Sequence, residues 1–337
     1  MTSVPSASPS ATASPAGTLF CTDTFWDMYG DRVRAVAPGV DAVQLNGDQP
    51  VAEADIARIT MTFFSGDAWP ERAAPFMRVA LDAPDLRWLH SMSAGVDSPV
   101  FGMFLQRGVR VTTSSGASAE PIAGTVMMYL LALSRNLPQL MRAQAAHEWQ
   151  PNPYRELAGR SIAVIGYGPI GEHVVRFAGA FGMDPVIVRR AARGDEPAPV
   201  RTLAELDDVV ASVDVVVVAL PLADETRGLI SRDVIARMRS DALFVNVGRG
   251  ELVDQEALTD ALRSGRLAGA GLDVFSPEPL PADDPLWDLP NVIITPHNSG
   301  TTFGHLERTA MIFLDNLARF GRGDDLRNEV HASEVRA

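Results

Sequence analysis

"SIAVIGYGPIG", Ser161–Gly171, is an apolar run rich in β-branched residues that ends on a glycine and passes at once to a proline suited to a helix start. Gly166, Gly168 and Gly171 stand at the spacing G-x-G-x-x-G between this predicted strand and a predicted helix over Pro169–Phe181. The first glycine permits a tight turn, the second lets a pyrophosphate approach the backbone, and the third allows close helix–strand packing. The helix N-terminus then faces the negative charge. In that position Gly166, Gly168, Pro169, Ile170 and Gly171 predict a dinucleotide site.

Working outward, "PVIV", "VDVVVVAL", "DALFVNVG", "GAGLDVF" and "NVIITP" read as further strands. "LAELDDVVAS" and "DQEALTDALRSG" read as helices, the second ended by Gly265. With the first strand this makes six, a full Rossmann domain. Upstream, "TLFCT", "DAVQL", "RITMTFF", "LRWLH" and "VRVTT" alternate with helix-like segments, which predicts a second parallel sheet covered on both faces. A last helix, Thr302–Phe320, has no strand of its own and is expected to return to the first domain. The fold class is therefore α/β with two domains: a Rossmann domain at 116–301, inserted into a flavodoxin-like substrate domain built from 18–115 and 302–337. The active site is expected in the cleft between them, with hinges near residues 115 and 301. Ala119–Glu148 reads as one long helix, apolar on most sides, and so is expected at a domain or subunit interface.

With 46% apolar and 21% charged residues, the 337-residue chain has an ordinary globular composition. Its net charge of -13 disfavours nucleic acid and anionic membrane as partners. Residues 1–17 are rich in Pro, Ser, Ala and Thr and read as a disordered tail rather than a signal peptide. No apolar run is long enough for a membrane span. The one cysteine, Cys21, excludes a disulfide framework and fits a reducing cytoplasm. The histidines at 90, 147, 173, 305 and 331 show no metal-ligand spacing and read as structural or solvated.

An acid normally follows the glycine turn by about 20 residues and takes the ribose hydroxyls of NAD(H). Here "FGMDPVIVRRAAR", Phe181–Arg193, places Arg189 at that position, with Arg190 and Arg193 beside it. A guanidinium cannot accept those hydrogen bonds but binds a 2′-phosphate well. The expected cofactor is NADP(H), with NAD(H) the alternative. "NVGRGELVD", "LDVFSPEPLP" and "NVIITPHNSG" place Arg249, Glu278 and His297 after strand ends, where open α/β sheets bind ligands.

These segments, with "GYGPIG" and "SMSAGVD", resemble the D-isomer-specific 2-hydroxyacid dehydrogenase family from about residue 19 onward. The resemblance implies that Arg249 binds the substrate carboxylate and polarises the keto oxygen. It implies that His297 is the general acid in reduction and that Glu278 orients it and stabilises its protonated form. Backbone N–H groups around Ala94, Gly95 and Val96 are implied to cradle the carboxylate. Asp273 is implied to bond the nicotinamide amide, and Leu220, Pro221 and Val247 to border the cofactor. Gly124 and Ala223 depart from the family's usual glutamate and threonine. The implied reaction is reduction of a small 2-keto acid, such as glyoxylate or hydroxypyruvate, to the D-2-hydroxy acid by a homodimer joined through 119–148. No C-terminal regulatory domain, and hence no feedback control of that kind, is expected. The resemblance also spans NAD-dependent D-2-hydroxyacid and phosphite dehydrogenases and non-catalytic nucleotide-sensing proteins, while Glu278 stands where formate dehydrogenases carry glutamine. Phe63, Phe64 and Trp88 fit either a substrate pocket or a core.

Overall fold

The computed structural model describes residues 17–47, 49–96 and 98–331, so the predicted tail lies outside the described residues except for Gly17. Among the described residues, those up to Ala117 and from Thr302 onward form one compact unit, and Ser118–Thr301 form a second.

In the first unit, β1 (Thr18–Thr22), α1 (Asp23–Val36), β2 (Asp41–Leu45), the single turn α2 (Glu53–Ile56), β3 (Ile59–Phe64), α3 (Ala73–Asp82), β4 (Trp88–Ser91), α4 (Val100–Gln106) and β5 (Arg110–Thr113) follow one another. The strands pair in parallel in the order β2-β1-β3-β4-β5, the flavodoxin-like order. β1 is buried along its whole length because helices cover both faces. Thr22 ends it and caps α1 by accepting from the Phe25 N–H.

The second unit opens with α5 (Ala119–Ser134) and α6 (Leu137–Ala145). These are two helices where one was expected. Asn136 adopts a left-handed conformation (φ 54) that ends the first, and Pro138 suits the first turn of the second. The apolar middle of α5 also needs no second domain to cover it. It packs on α7, β10 and β11 of its own unit, and Tyr129 lies directly on Gly271, where a Cβ would overlap the ring.

The unit continues with β6 (Ser161–Ile165), α7 (Pro169–Ala180), β7 (Asp184–Val188), β8 (Val200–Arg201), α8 (Leu206–Ser212), β9 (Val215–Val218), α9 (Arg232–Arg237), β10 (Leu243–Asn246), α10 (Gln255–Arg263), β11 (Gly269–Leu272) and β12 (Val292–Ile294). All strands are parallel, in the order β12-β11-β10-β9-β6-β7-β8. There are seven strands where six were expected, because β8 has two residues, too few to show a pattern. Strand order reverses between β6 and β9, which puts a ligand crevice at their carboxyl ends.

The chain then returns to the first unit as α11 (His305–Arg322), which packs on α1. Phe313 stacks on Phe63 at 4.6 Å and on Trp88 at 5.4 Å, and meets Phe25 edge-on. Phe63 and Trp88 are therefore core residues rather than pocket lining, and Phe64 packs against Phe76 in a neighbouring cluster. His90 is fully buried between the Thr112 and Ser114 hydroxyls, and desolvation pulls its pKa down to about 3, so the ring is neutral.

Truncating Phe313→Ala removes the ring that joins α11 to the first sheet and should cost about 3–5 kcal/mol. Urea denaturation would show the loss, and Met103→Ala on the exposed face of α4 should stay within about 0.5 kcal/mol.

Candidate active site

Three glycines of the second unit define its crevice, two by what a side chain would strike and one by the space it leaves open. At Gly166 (φ +103) a Cβ would lie 2.7 Å from the Ala219 carbonyl oxygen, so β6 and β9 part only as far as a bare backbone allows. At Gly171 it would overlap the Gly166 carbonyl, so α7 docks onto its own turn. Gly168 is different. It is extended and exposed, and a Cβ there would meet nothing within 4 Å. No protein contact requires that glycine, whereas open space at the head of α7, with Pro169 at its first turn and Ile170 half-buried behind it, fits close approach of a pyrophosphate.

The opposite wall is equally tight. A Cβ at Gly248 would lie 2.8 Å from the Leu220 carbonyl. Leu220 is half-buried and Pro221 exposed, and Thr226 holds their loop by donating to the Pro221 carbonyl at 3.0 Å and accepting from the Ala223 N–H at 2.8 Å. Val247 borders the crevice with backbone only, since its side chain is in the core.

Arg189 follows β7, and its guanidinium carbon lies 5.8 Å from the centre of the Tyr167 ring in the glycine turn. It is not simply a free cation beside the crevice, because Nη1 donates to Glu196 at 2.5 Å. Arg190 pairs with Glu225 at 2.7 Å, while Arg193 is exposed. Glu196 has no signature in the sequence, because it lies seven positions beyond Arg189 in a loop with no periodicity.

At the far carboxyl edge of the same sheet, His297 Nδ1 lies 2.7 Å from Glu278 Oε2. Glu278 is held by its other oxygen, which accepts from the Phe275 N–H at 2.9 Å. His297 has a left-handed backbone (φ 49), which costs about 1–3 kcal/mol for a residue with a side chain. Its N–H donates to the Asp273 carbonyl at 2.8 Å. The Asp273 side chain anchors the rest of the loop, accepting from the Thr295 hydroxyl, the Asn298 N–H, and the N–H and hydroxyl of Ser299. Tyr129 donates in turn to Thr295, and burial raises its pKa, which keeps it a donor. The Asp273 carboxylate is buried and accepts from four internal donors, so its first task is to hold this loop. Thr295, Ser299 and Tyr129 were not singled out in the sequence, since their roles appear only when α5 meets β11.

Arg249 follows β10 and donates to the Gly248 carbonyl at 2.8 Å. Asn246 pins this turn, donating to the Arg249 carbonyl and accepting from the Gly248 N–H, each at 3.0 Å. A Cβ at Gly250 would overlap the Phe275 carbonyl, so the backbone beside Arg249 lies directly on the turn that carries Glu278. In the first unit, the Ala94–Val96 turn is held by Ser93, whose hydroxyl donates to the Gly95 carbonyl at 2.8 Å, and by the buried Val96 side chain. Among the described residues, no His, Cys, Asp and Glu cluster could hold a metal ion, and no helix is long and apolar enough to cross a membrane.

Residues 127–299 match the family described as "D-isomer specific 2-hydroxyacid dehydrogenase, NAD binding domain". The chain is 35% identical over 257 residues to glyoxylate/hydroxypyruvate reductase B of Pectobacterium carotovorum, covering 74% of this chain and 80% of that one. It is 34% identical over 260 residues to D-3-phosphoglycerate dehydrogenase of Methanocaldococcus jannaschii, covering 75% of this chain but 49% of that longer protein. A D-isomer specific 2-hydroxyacid dehydrogenase from Xanthobacter autotrophicus, solved in complex with NADPH and MES, superposes with a TM-score of 0.77 at 28% identity, covering 94% of this chain and 99% of that one. By fold, motif order and sequence identity, the chain belongs to the D-isomer-specific 2-hydroxyacid dehydrogenase family, oxidoreductases that act on CH–OH donors.

Proposed function

We propose that this protein reduces a small 2-keto acid, of the size of glyoxylate or hydroxypyruvate, to the D-2-hydroxy acid with NADPH. The observation that carries the reading is the His297–Glu278 pair on the same sheet edge as a glycine turn whose exposed Gly168 no protein contact requires. The substrate class is supported by the Pectobacterium relative and the cofactor by the Xanthobacter one.

Gly166, Gly168 and the head of α7 would hold the pyrophosphate, Leu220 and Pro221 would border the adenosine, and Arg189 would face the ribose. When bound, the cofactor supplies a hydride to the carbonyl carbon. Glu278 accepts from Nδ1 of His297, which leaves Nε2 as the working nitrogen. That nitrogen gives its proton to the carbonyl oxygen in reduction and takes it back in oxidation. Arg249 would be the carboxylate's planar partner. The reading includes a cytoplasmic homodimer, and the exposed Met128, Leu137, Leu140 and Met141 of the 119–148 segment support the dimer. Light scattering that finds a monomer removes that part.

His297→Asn should lower kcat for glyoxylate by about 10²–10⁴-fold while leaving NADPH affinity, read by fluorescence titration, within about twofold. Equal loss in both would make His297 a structural residue. Arg249→Lys should raise KM for the keto acid, with kcat/KM falling about 10–100-fold through loss of a bidentate ion pair. Arg189→Asp should reverse the NADPH-over-NADH preference in kcat/KM, and an unchanged ratio sinks the cofactor assignment.

A further inference from the structure

The loop from Arg189 to Glu196 contains a finished anion site with an anion already in it. Glu196 Oε1 accepts from the Arg193 N–H at 2.8 Å and from Arg189 Nη1 at 2.5 Å, and Oε2 accepts from the Gly194 N–H at 2.9 Å. Gly194 (φ +93) supplies the left-handed turn that aims two successive N–H groups at one point. The Glu196 side chain is 2% exposed and that of Arg189 14%, so the pair is enclosed by the loop. These N–H bonds, chiefly that from Arg193, hold the Glu196 carboxyl down at about 2, so it stays ionised at any working pH. Two backbone N–H groups and a guanidinium are also the donors a phosphate monoester would take.

We infer that Glu196 is a specificity-determining residue whose carboxylate occupies the cradle that the 2′-phosphate of NADP(H) would enter. The inference rests on the proposed reading that Arg189 faces the adenosine ribose. Two like charges cannot share the cradle, so the 2′-phosphate binds only by displacing Glu196. NAD(H) leaves the pair closed, and the carboxylate beside the ribose then does the work of the acid this sequence lacks at Arg189. The proposed NADPH preference is therefore partial, and Glu196 sets the ratio.

The test is isothermal titration calorimetry of adenosine 2′,5′-bisphosphate and of 5′-AMP, which differ only in the 2′-phosphate. The proteins are wild type, Glu196→Gln, Glu196→Asp and Arg189→Ala. Glu196→Gln should tighten the bisphosphate by about tenfold or more and leave 5′-AMP within about twofold. Glu196→Asp, which keeps the charge but withdraws it by one methylene, should tighten it by less and guards against collapse of the loop in the glutamine variant. If the bisphosphate binds wild type better than 5′-AMP in an Arg189-dependent way, yet neither Glu196 variant tightens it, the inference fails and the cofactor reading stands. If the 2′-phosphate adds nothing in any of the four proteins, the cofactor reading fails and takes the inference with it.

Discussion

A single buried carboxylate holds the loop that carries His297 in shape. Asp273 follows β11, and its two oxygens gather the hydroxyl of Thr295, the N–H groups of Asn298 and Ser299, and the Ser299 hydroxyl. Without those partners its burial would be prohibitive. Without Asp273, the segment after β12 would have little to keep His297 in a left-handed backbone. The energy of several charge-assisted hydrogen bonds offsets the strain in one residue. That exchange fixes the ring against Glu278, whose own orientation is set by the Phe275 N–H.

The geometry of the sheet makes this local arrangement useful. In a parallel sheet every strand delivers its carboxyl end to the same edge. The turns after β6, β9, β10, β11 and β12 therefore lie side by side, though they are far apart along the chain. Close contact between them is enforced where side chains are missing: Gly166 against Ala219, Gly248 against Leu220, and Gly250 against Phe275. Each pair brings two turns as near as backbones can come, which removes slack from the positions of Arg249 and Glu278. Preorganisation of this kind is what proton transfer requires, because misplacement by an ångström is costly.

Much of this was legible in the sequence, for physical reasons that differ from residue to residue. The strand–glycine–helix junction at Ser161–Gly171 could be read because turn geometry and helix packing restrict residue type at fixed spacing. The residues at 249, 278 and 297 could be read because all three follow strands of one parallel sheet, whose carboxyl ends share the edge where such folds bind ligands. What escaped depended on tertiary contact. β8 is too short to carry a period, and the break at Asn136 depends on one left-handed residue inside an otherwise helical pattern. The apolar surface of α5 exceeds one stripe, and the sequence could not show that a sheet floored by Gly271 lets Tyr129 sink into its own unit while Met128 stays exposed. The position of Asp273 at a strand end said nothing of the four internal donors that turn to meet it.

The arginine loop shows why residue type at one position underdetermines recognition. Arg189 replaces the expected acid, and that change alone argues for a phosphate. Yet a lone guanidinium on a loop carries a large rotamer entropy, and holding it in place for a ligand has to come from somewhere. Glu196 provides that order, since an enclosed ion pair with two further N–H bonds leaves Arg189 little freedom. The same contact fills the site it organises. Order and vacancy are thus in opposition within one short loop. An acid displaced seven positions along the chain restores beside Arg189 the charge that the substitution removed, and in the proposed reading that places it near the ribose. On the inference drawn above, selectivity between the two nucleotides depends on a competition between anions for one cradle, a quantity that no single residue in the motif encodes.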